Sequence, residues 1–502
     1  MTSINQAKEQ FSELLKKMRA YEEALGVLYW DLRTGAPKKG VESRSEAIGI
    51  LSTELFQLST SDRMGELLNT LSDPSAFPSL TRTMQRSVEE GRREYERSKK
   101  IPPKLYQEYV IVTSQAESVW EEAKPKNDFA LFRPYLEKIV DYTVQFVDLW
   151  GYEGNKYNTL LDSYEPGMTV AKLDEVFGEL RKRLVPLVAA IGERTPLDTS
   201  FMQRSVPLNR QKELCEAMLR EMGYDFAAGR LDPTAHPFAT GLSPGDVRVT
   251  TKYIEDDLKY ALFSTIHEGG HALYEQNISM ELLGTNLCTG TSMGIHESQS
   301  RLWENMIARS SQFWNRYYAD LQRIVPEFAD VPEEQFYLAV NEVKPSLIRT
   351  EADELTYNLH IMIRYELEKQ LVNGELKVAD LPRVWNEKYE EYLGVTPSDD
   401  THGVLQDVHW AGGGFGYFPS YSLGNMYAAQ MMDAMKRVLP AYDDYIGRGE
   451  LAPIKEWLTE KVYRHGRVLT PTDVIKNASG SELDPTYLTD YLESKYKTIY
   501  KL

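Results

Sequence analysis

Between Ile254 and Ile278 the chain reads IEDDLKYALFSTIHEGGHALYEQNI. Its apolar residues Leu258, Ala261, Leu262, Ile266 and Leu273 fall on the three- and four-residue spacing of a helix with one buried stripe. His267 and His271 stand four residues apart inside that helix, one turn from each other on one face, where a single tetrahedral zinc ion can bridge both imidazoles. Glu268 is rotated about 100° from His267. From there its carboxylate reaches a metal-bound water without becoming a ligand. Gly269 and Gly270 each cost a helix interior roughly 1 kcal/mol relative to alanine. Their presence predicts that a substrate backbone, or another segment of the chain, comes close to the metal face.

A catalytic zinc needs a third protein ligand and an open position for water. A third histidine six residues after the second is excluded, because position 277 is Asn277. The best candidate is Glu297, in Gly294-Ile295-His296-Glu297-Ser298-Gln299-Ser300-Arg301, read here as the first turn of a further helix. An ordinary first-turn glutamate favoured by the helix dipole is the alternative; the metal helix tips the balance toward a ligand. Glu304 reads as a structural or supporting group.

The rest of the chain is overwhelmingly helical in pattern. Periodic segments cover roughly 41–72, 79–99, 103–124, 127–150, 169–193, 207–223, 254–279, 297–323, 348–372, 423–447 and 483–499, with turn chemistry such as Glu165-Pro166-Gly167 between them. Residues 246–253, with alternating β-branched character after a Pro-Gly turn, read as a short strand. The glycine-rich segment 402–422 suits an irregular active-site wall. No repeat of 20–50 residues is evident, so the expectation is one domain over 1–502: a helical lid or scaffold in about the first 130 residues, and the chemistry within about 230–425.

Composition narrows the function classes. The 502 residues carry a net charge of −18, which argues against a nucleic-acid partner, since a phosphate backbone demands a basic face. No apolar run approaches the ~18 residues of a membrane span, and the polar start of the chain lacks a signal-peptide core. Two isolated cysteines, Cys215 and Cys288, give no disulfide framework and fit a reducing, cytoplasmic setting.

Together with the metal helix, five further motifs carry a resemblance. They are His236-Pro237-Phe238, Asp246-Val247-Arg248-Val249-Thr250, His296-Glu297-Ser298-Gln299, Ile348-Arg349-Thr350-Glu351-Ala352-Asp353 and Gly403-Val404-Leu405-Gln406-Asp407-Val408-His409-Trp410. In this order they resemble the thermostable, Taq-type metallocarboxypeptidases. The resemblance implies a mainly α gluzincin fold like that of neurolysin and angiotensin-converting enzyme, with a deep central groove and a small β-sheet beside the metal. It implies cytosolic homodimers that use zinc, with cobalt able to substitute, and that remove C-terminal residues from peptides with broad specificity. It assigns His267, His271 and Glu297 as ligands and Glu268 as base, in agreement with the spacing.

The remaining roles are expectations. His409 and Tyr421, twelve residues apart, are candidate donors to the tetrahedral oxyanion, a pairing that related gluzincins show at similar spacing; Tyr417 competes with Tyr421. A free α-carboxylate is best held by a guanidinium. Arg349, read as opening a helix, is the leading candidate and Arg248 on the strand the second. His236 is expected to shape one end of the groove, and the strand at 246–253 to hold an extended substrate by strand addition. Two other functions compete: an endo-acting zinc oligopeptidase on the same metal site, and a helical binding protein with a degenerate site.

Overall fold

The computed structural model describes residues 4–502. Helix dominates, at 69% of the chain against 3% strand. The first helix, Ile4–Thr34, buries Ala7, Phe11 and Leu15 on one side, the stripe that three- and four-residue spacing requires. With helices Asp62–Leu71 and Arg82–Lys100 it encloses a small core of its own, built from residues such as Phe11, Leu67, Leu71 and Val88. A second and much larger core runs from Ala116 to Tyr500 and includes both flanks of the metal helix. Among the described residues no helix is long and apolar enough to cross a membrane, and both cysteines are buried and free.

Three short strands form the only sheet among the described residues, in the order β1-β3-β2. Strands β1 (Leu231–Pro233) and β3 (Asp246–Thr251) run parallel, and β2 (Ala239–Ser243) pairs antiparallel with β3, which is therefore central. β3 falls within the expected strand, whereas β1 and β2 are too short to read from periodicity. Because both sides of β3 are taken, it cannot accept a peptide as an added strand, contrary to that expectation. Thr251 Oγ1 donates to Ala261 O at 3.2 Å, tying the sheet to the metal helix.

The metal helix spans Leu258–Gln276, with Asp257 accepting the Tyr260 N–H at its start. Other expected helices are subdivided. The segment 41–72 is Val41–Ser59 and Asp62–Leu71, broken where Ser61 caps the second helix. Segment 297–323 becomes a helix Met293–Arg301, a π-helical stretch Leu302–Ile307 and a helix Ser311–Ile324 capped by Ser310. Glu297 therefore lies in the second turn of its helix, not the first. At 348–372, Arg349–Glu351 form a single 3₁₀ turn and the helix starts only at Tyr357. The carboxylate of Asp353 accepts the N–H groups of Leu355 and Thr356, both at 2.9 Å, and so begins the helix downstream of Arg349. The expected 423–447 helix is Pro419–Val438 followed by Tyr442–Arg448, which puts Tyr421 in the first turn of a helix at the end of the glycine-rich wall.

Candidate active site

The metal helix presents both histidines toward the helix Met293–Arg301. His267 Nε2 lies 3.5 Å and His271 Nε2 3.4 Å from the same oxygen, Glu297 Oε2. A tetrahedral ion with bonds near 2.0–2.1 Å spaces its ligands by about 3.3 Å; the two histidine-to-glutamate distances match this, and all three ligand atoms lie within 4.8 Å of one another. Among the described residues, His267, His271 and Glu297 are the group that could hold a metal ion. The approach of the two helices depends on Gly270, where a β-carbon would stand 2.6 Å from the Gln299 carbonyl oxygen and from Ser300 Cα. Close approach was expected here, and it is made by the ligand-bearing helix of the chain itself.

Each imidazole is oriented from behind. His267 Nδ1 lies 2.9 Å from Glu304 Oε2, so Nδ1–H donates to Glu304 and Nε2 is the nitrogen turned toward Glu297 and a metal. Arg309 donates to Glu304 at 3.0 Å and Arg301 to the same carboxylate at 3.3 Å. Burial alone would raise the Glu304 carboxyl, but Arg301, His267 and Arg309 outweigh it and hold it far below the usual range. Behind His271 the support is longer: its Nδ1 is 2.6 Å from His296 Nδ1, and His296 Nε2 is 2.9 Å from Glu275 Oε1. One proton arrangement satisfies the chain, in which His271 Nδ1–H donates to His296 and His296 Nε2–H donates to Glu275. Gly290 N–H, at 3.0 Å, and the Thr289 hydroxyl, at 3.2 Å, hold Glu275 in turn. Sequence reasoning passed over His296 and Glu275. The four-residue step from His271 to Glu275 was a signal, but their meeting through His296 comes from packing.

Glu297 itself is fixed by Arg301, whose Nε donates to Oε1 at 2.6 Å, and by the Ser300 hydroxyl on Oε2 at 3.0 Å. The donor set, two imidazoles and one carboxylate, fits a divalent metal ion; Glu297 and Glu304 outweigh burial and raise the proton affinity of His267 to about 10, so a metal ion would displace a proton from this ring. Glu268 is buried on the same helix, where burial, partly offset by His267, pushes its carboxyl up to about 7. A carboxylate of that proton affinity is suited to a general base near neutral pH.

The glycine-rich wall supplies the second set of groups. Glu368 holds it from behind, accepting Trp410 Nε1–H at 2.7 Å, the Gly416 N–H at 2.9 Å and the Tyr157 hydroxyl at 2.5 Å. His409 Nε2 and Tyr421 Oη are 3.2 Å apart, so the two residues twelve apart in sequence are hydrogen-bonded. Tyr417 packs beside both, its ring 5.2 Å from Tyr421 and 5.7 Å from His409.

Arg349 is brought to this wall. Its Nε and Nη2 donate to Asp407 Oδ1 at 3.0 and 2.7 Å, its Nη1 to Tyr357 Oη at 3.1 Å, and its guanidinium lies 5.1 Å from the Tyr421 ring centroid. Arg248 is elsewhere, paired with Asp246 at 2.8 and 2.7 Å on its own strand and stacked over Trp30 at 5.5 Å. His236 is exposed in the loop between β1 and β2. Its neighbour Phe238 is fixed by an edge contact with Trp30 at 5.5 Å and by Thr250 Oγ1, which accepts its N–H at 2.8 Å.

Comparison with known proteins agrees with this geometry. Residues 10–496 match the family model for carboxypeptidase Taq (M32) metallopeptidases. Carboxypeptidase 1 of Bacillus subtilis (strain 168) is 53% identical over 99% of this chain and 100% of its own length. Thermostable carboxypeptidase 1 of Thermus thermophilus is 42% identical over 98% and 99%. The crystal structure of the M32 carboxypeptidase from Deinococcus radiodurans R1 superposes with a TM-score of 0.96 at 39% identity, covering 99% of this chain and 100% of the other. The chain belongs to the carboxypeptidase Taq (M32) family of metallopeptidases.

Proposed function

We propose that this metallocarboxypeptidase is a zinc enzyme that releases single C-terminal residues from peptides with broad specificity. The observation that carries the reading is the pair of 3.5 and 3.4 Å distances joining His267 and His271 to one oxygen of Glu297, with Glu268 one residue from the first ligand. Zinc held there, or cobalt in its place, would polarise the scissile carbonyl and lower the pKa of the attacking water. Glu268 takes the proton of that water and returns it to the leaving amine. His409 and Tyr421, hydrogen-bonded to each other, donate to the developing oxyanion. Arg349 receives the substrate carboxylate, with Arg248 the second candidate, and His236 borders the far end of the substrate path. The separate small core beneath the first hundred residues supports the reading of that region as a lid. A cytoplasmic homodimer completes the proposal; the family resemblance supports the dimer, and the free buried cysteines support the compartment.

The test is a metal assay joined to mass spectrometry of one short peptide, offered as free acid and as C-terminal amide. Loss of single residues from the free acid alone, abolished by chelation and restored by zinc or cobalt, is the expected result. Internal cleavage of both forms would overturn the exopeptidase reading. Light scattering on the purified protein checks the dimer.

A further inference from the structure

Asp407 stands between two arginines and a histidine. Its Oδ2 accepts Arg364 Nε–H at 2.6 Å, and Arg364 is fully committed. The remaining donors of Arg364 hold His360 O at 2.9 Å, Tyr389 Oη at 3.2 Å and Gln406 Oε1 at 2.7 Å. The other oxygen, Oδ1, takes both hydrogen bonds from Arg349. The same Oδ1 is 4.0 Å from His409 Nδ1. That nitrogen is buried and has no hydrogen-bond partner, although His409 Nε2 is engaged with Tyr421. A buried imidazole nitrogen left unpaired just beyond reach of a carboxylate is costly, and a small turn of either side chain would relieve it.

We infer that Asp407 is a positioning residue shared between Arg349 and His409: a substrate carboxylate that engages Arg349 releases Asp407 Oδ1 to His409 Nδ1. The inference rests on Arg349 being the carboxylate clamp and adds what the clamp does to the chemistry. At rest, Arg349 and Arg364 carry two positive charges against the single negative charge of Asp407. An incoming carboxylate balances the group and removes the need for Asp407 to serve both arginines. Freed on one side, Oδ1 accepts from Nδ1–H and fixes the imidazole, whose raised proton affinity lets Nε2 take up a proton from solvent and donate toward Tyr421 and the oxyanion.

The charges acting on His409 point the same way. Burial first, then Arg349 and Arg364, hold its proton affinity down to about 4, with Asp407 alone opposing them. The other faces of the ring meet Phe418, Tyr417 and Tyr421. Neutralising Arg349 and bringing Asp407 into contact both raise the affinity of His409 for a proton. A free C-terminus thus promotes turnover as well as binding, whereas an amidated one leaves His409 weakly placed.

The experiment uses the zinc-loaded protein with ¹³C-labelled histidine and ¹⁵N-labelled arginine. The ligand is a hydrolysis-resistant tripeptide analogue, with methylene in place of the scissile nitrogen, as free acid and as C-terminal amide. His409→Gln assigns the histidine signal and Arg349→Lys the arginine signal. Without ligand, His409 is expected to stay neutral between about pH 5 and 9; the free acid should bring its titration midpoint at least about tenfold in proton affinity upward, into that window. The amide should not. If the free acid shifts Arg349 Nε but leaves His409 unmoved, the hand-over is wrong and the clamp stands. If the bound free acid moves neither, both are wrong. Asp407→Asn gives an independent reading: kcat for free-acid peptides should fall at least about tenfold, with KM changed far less. A raised KM with kcat retained would reduce Asp407 to a support for Arg349 and overturn the inference.

Discussion

Gly424 faces Glu297 so closely that a β-carbon on the glycine would stand 2.5 Å from Glu297 Cγ and 2.7 Å from its Cβ. On the other side, Gly270 brings the metal helix against the backbone of Gln299 and Ser300. The helix that carries Glu297 is therefore gripped between two helices, Leu258–Gln276 and Pro419–Val438, at the two points where neither has a side chain.

Gly424→Ala should displace Glu297 and weaken metal binding. Overpacking of this kind costs about 1–3 kcal/mol, so the metal dissociation constant is expected to rise about tenfold or more in competition with a chelator. An unchanged constant would show that the Glu297 helix yields without moving its carboxylate.

Glu268→Ala and Glu297→Ala should fail in different ways. The first is expected to keep metal and fold but lose at least about two decades of rate, because the proposed base is gone. The second loses metal on dialysis. Metal content and kcat measured side by side separate the two, and an active Glu268→Ala enzyme would remove Glu268 from the role of base.

Arg349→Ala should raise KM and lower kcat/KM for free-acid peptides, and narrow their advantage over amides. Asp407 keeps Arg364 as a partner in this variant, so the wall should stay folded. Steady-state kinetics with the two peptide forms provide the check. Unaltered values would move the clamp to Arg248.

Glu368 gives a pH-dependent stability. Burial pushes its carboxyl up to about 7, with hydrogen bonds from Tyr157, Gly416 and Trp410 partly offsetting the rise. In the unfolded chain a glutamate titrates near 4.3. The folded state therefore holds the proton over a range where the unfolded state has lost it, and the stability this group adds is complete below about pH 4 and gone above about pH 7. Glu368→Gln lacks this dependence. The stability gap between wild type and variant should accordingly shrink by roughly 3 kcal/mol as pH rises from about 5 to 8, read by urea unfolding.

The metal helix was legible because its information is local: periodicity gives the helix, and a four-residue step puts His267 and His271 on one face. Glu297 was singled out by elimination and by its motif, and the fold brings it beside both histidines, yet its turn was misjudged because the Ser292 cap lies further upstream than the apolar pattern suggests. Around Arg349 the reading failed for a chemical reason. The Asp353 carboxylate competes for backbone N–H groups and starts the helix later than hydrophobic periodicity implies. What no local pattern carries is the long-range pairing: His271 with His296, Arg349 with Asp407, Gly424 with Glu297. These join residues 25, 58 and 127 positions apart, and only the folded packing brings them together.

The glycine grip on the Glu297 helix has a consequence for how the enzyme acquires its metal. Glu297 is held by Ser300 and Arg301 of its own helix and by glycine contacts that form when the helices pack. None of these contacts needs an ion, so the metal-free protein is expected to unfold cooperatively and to take up metal afterwards. Two imidazoles and a carboxylate bind several divalent ions in the usual order of affinities. The occupant is then set by the metal supply of the cell in which the chain matures, and the same polypeptide purified from differently supplied cultures should carry different ions in an unchanged frame.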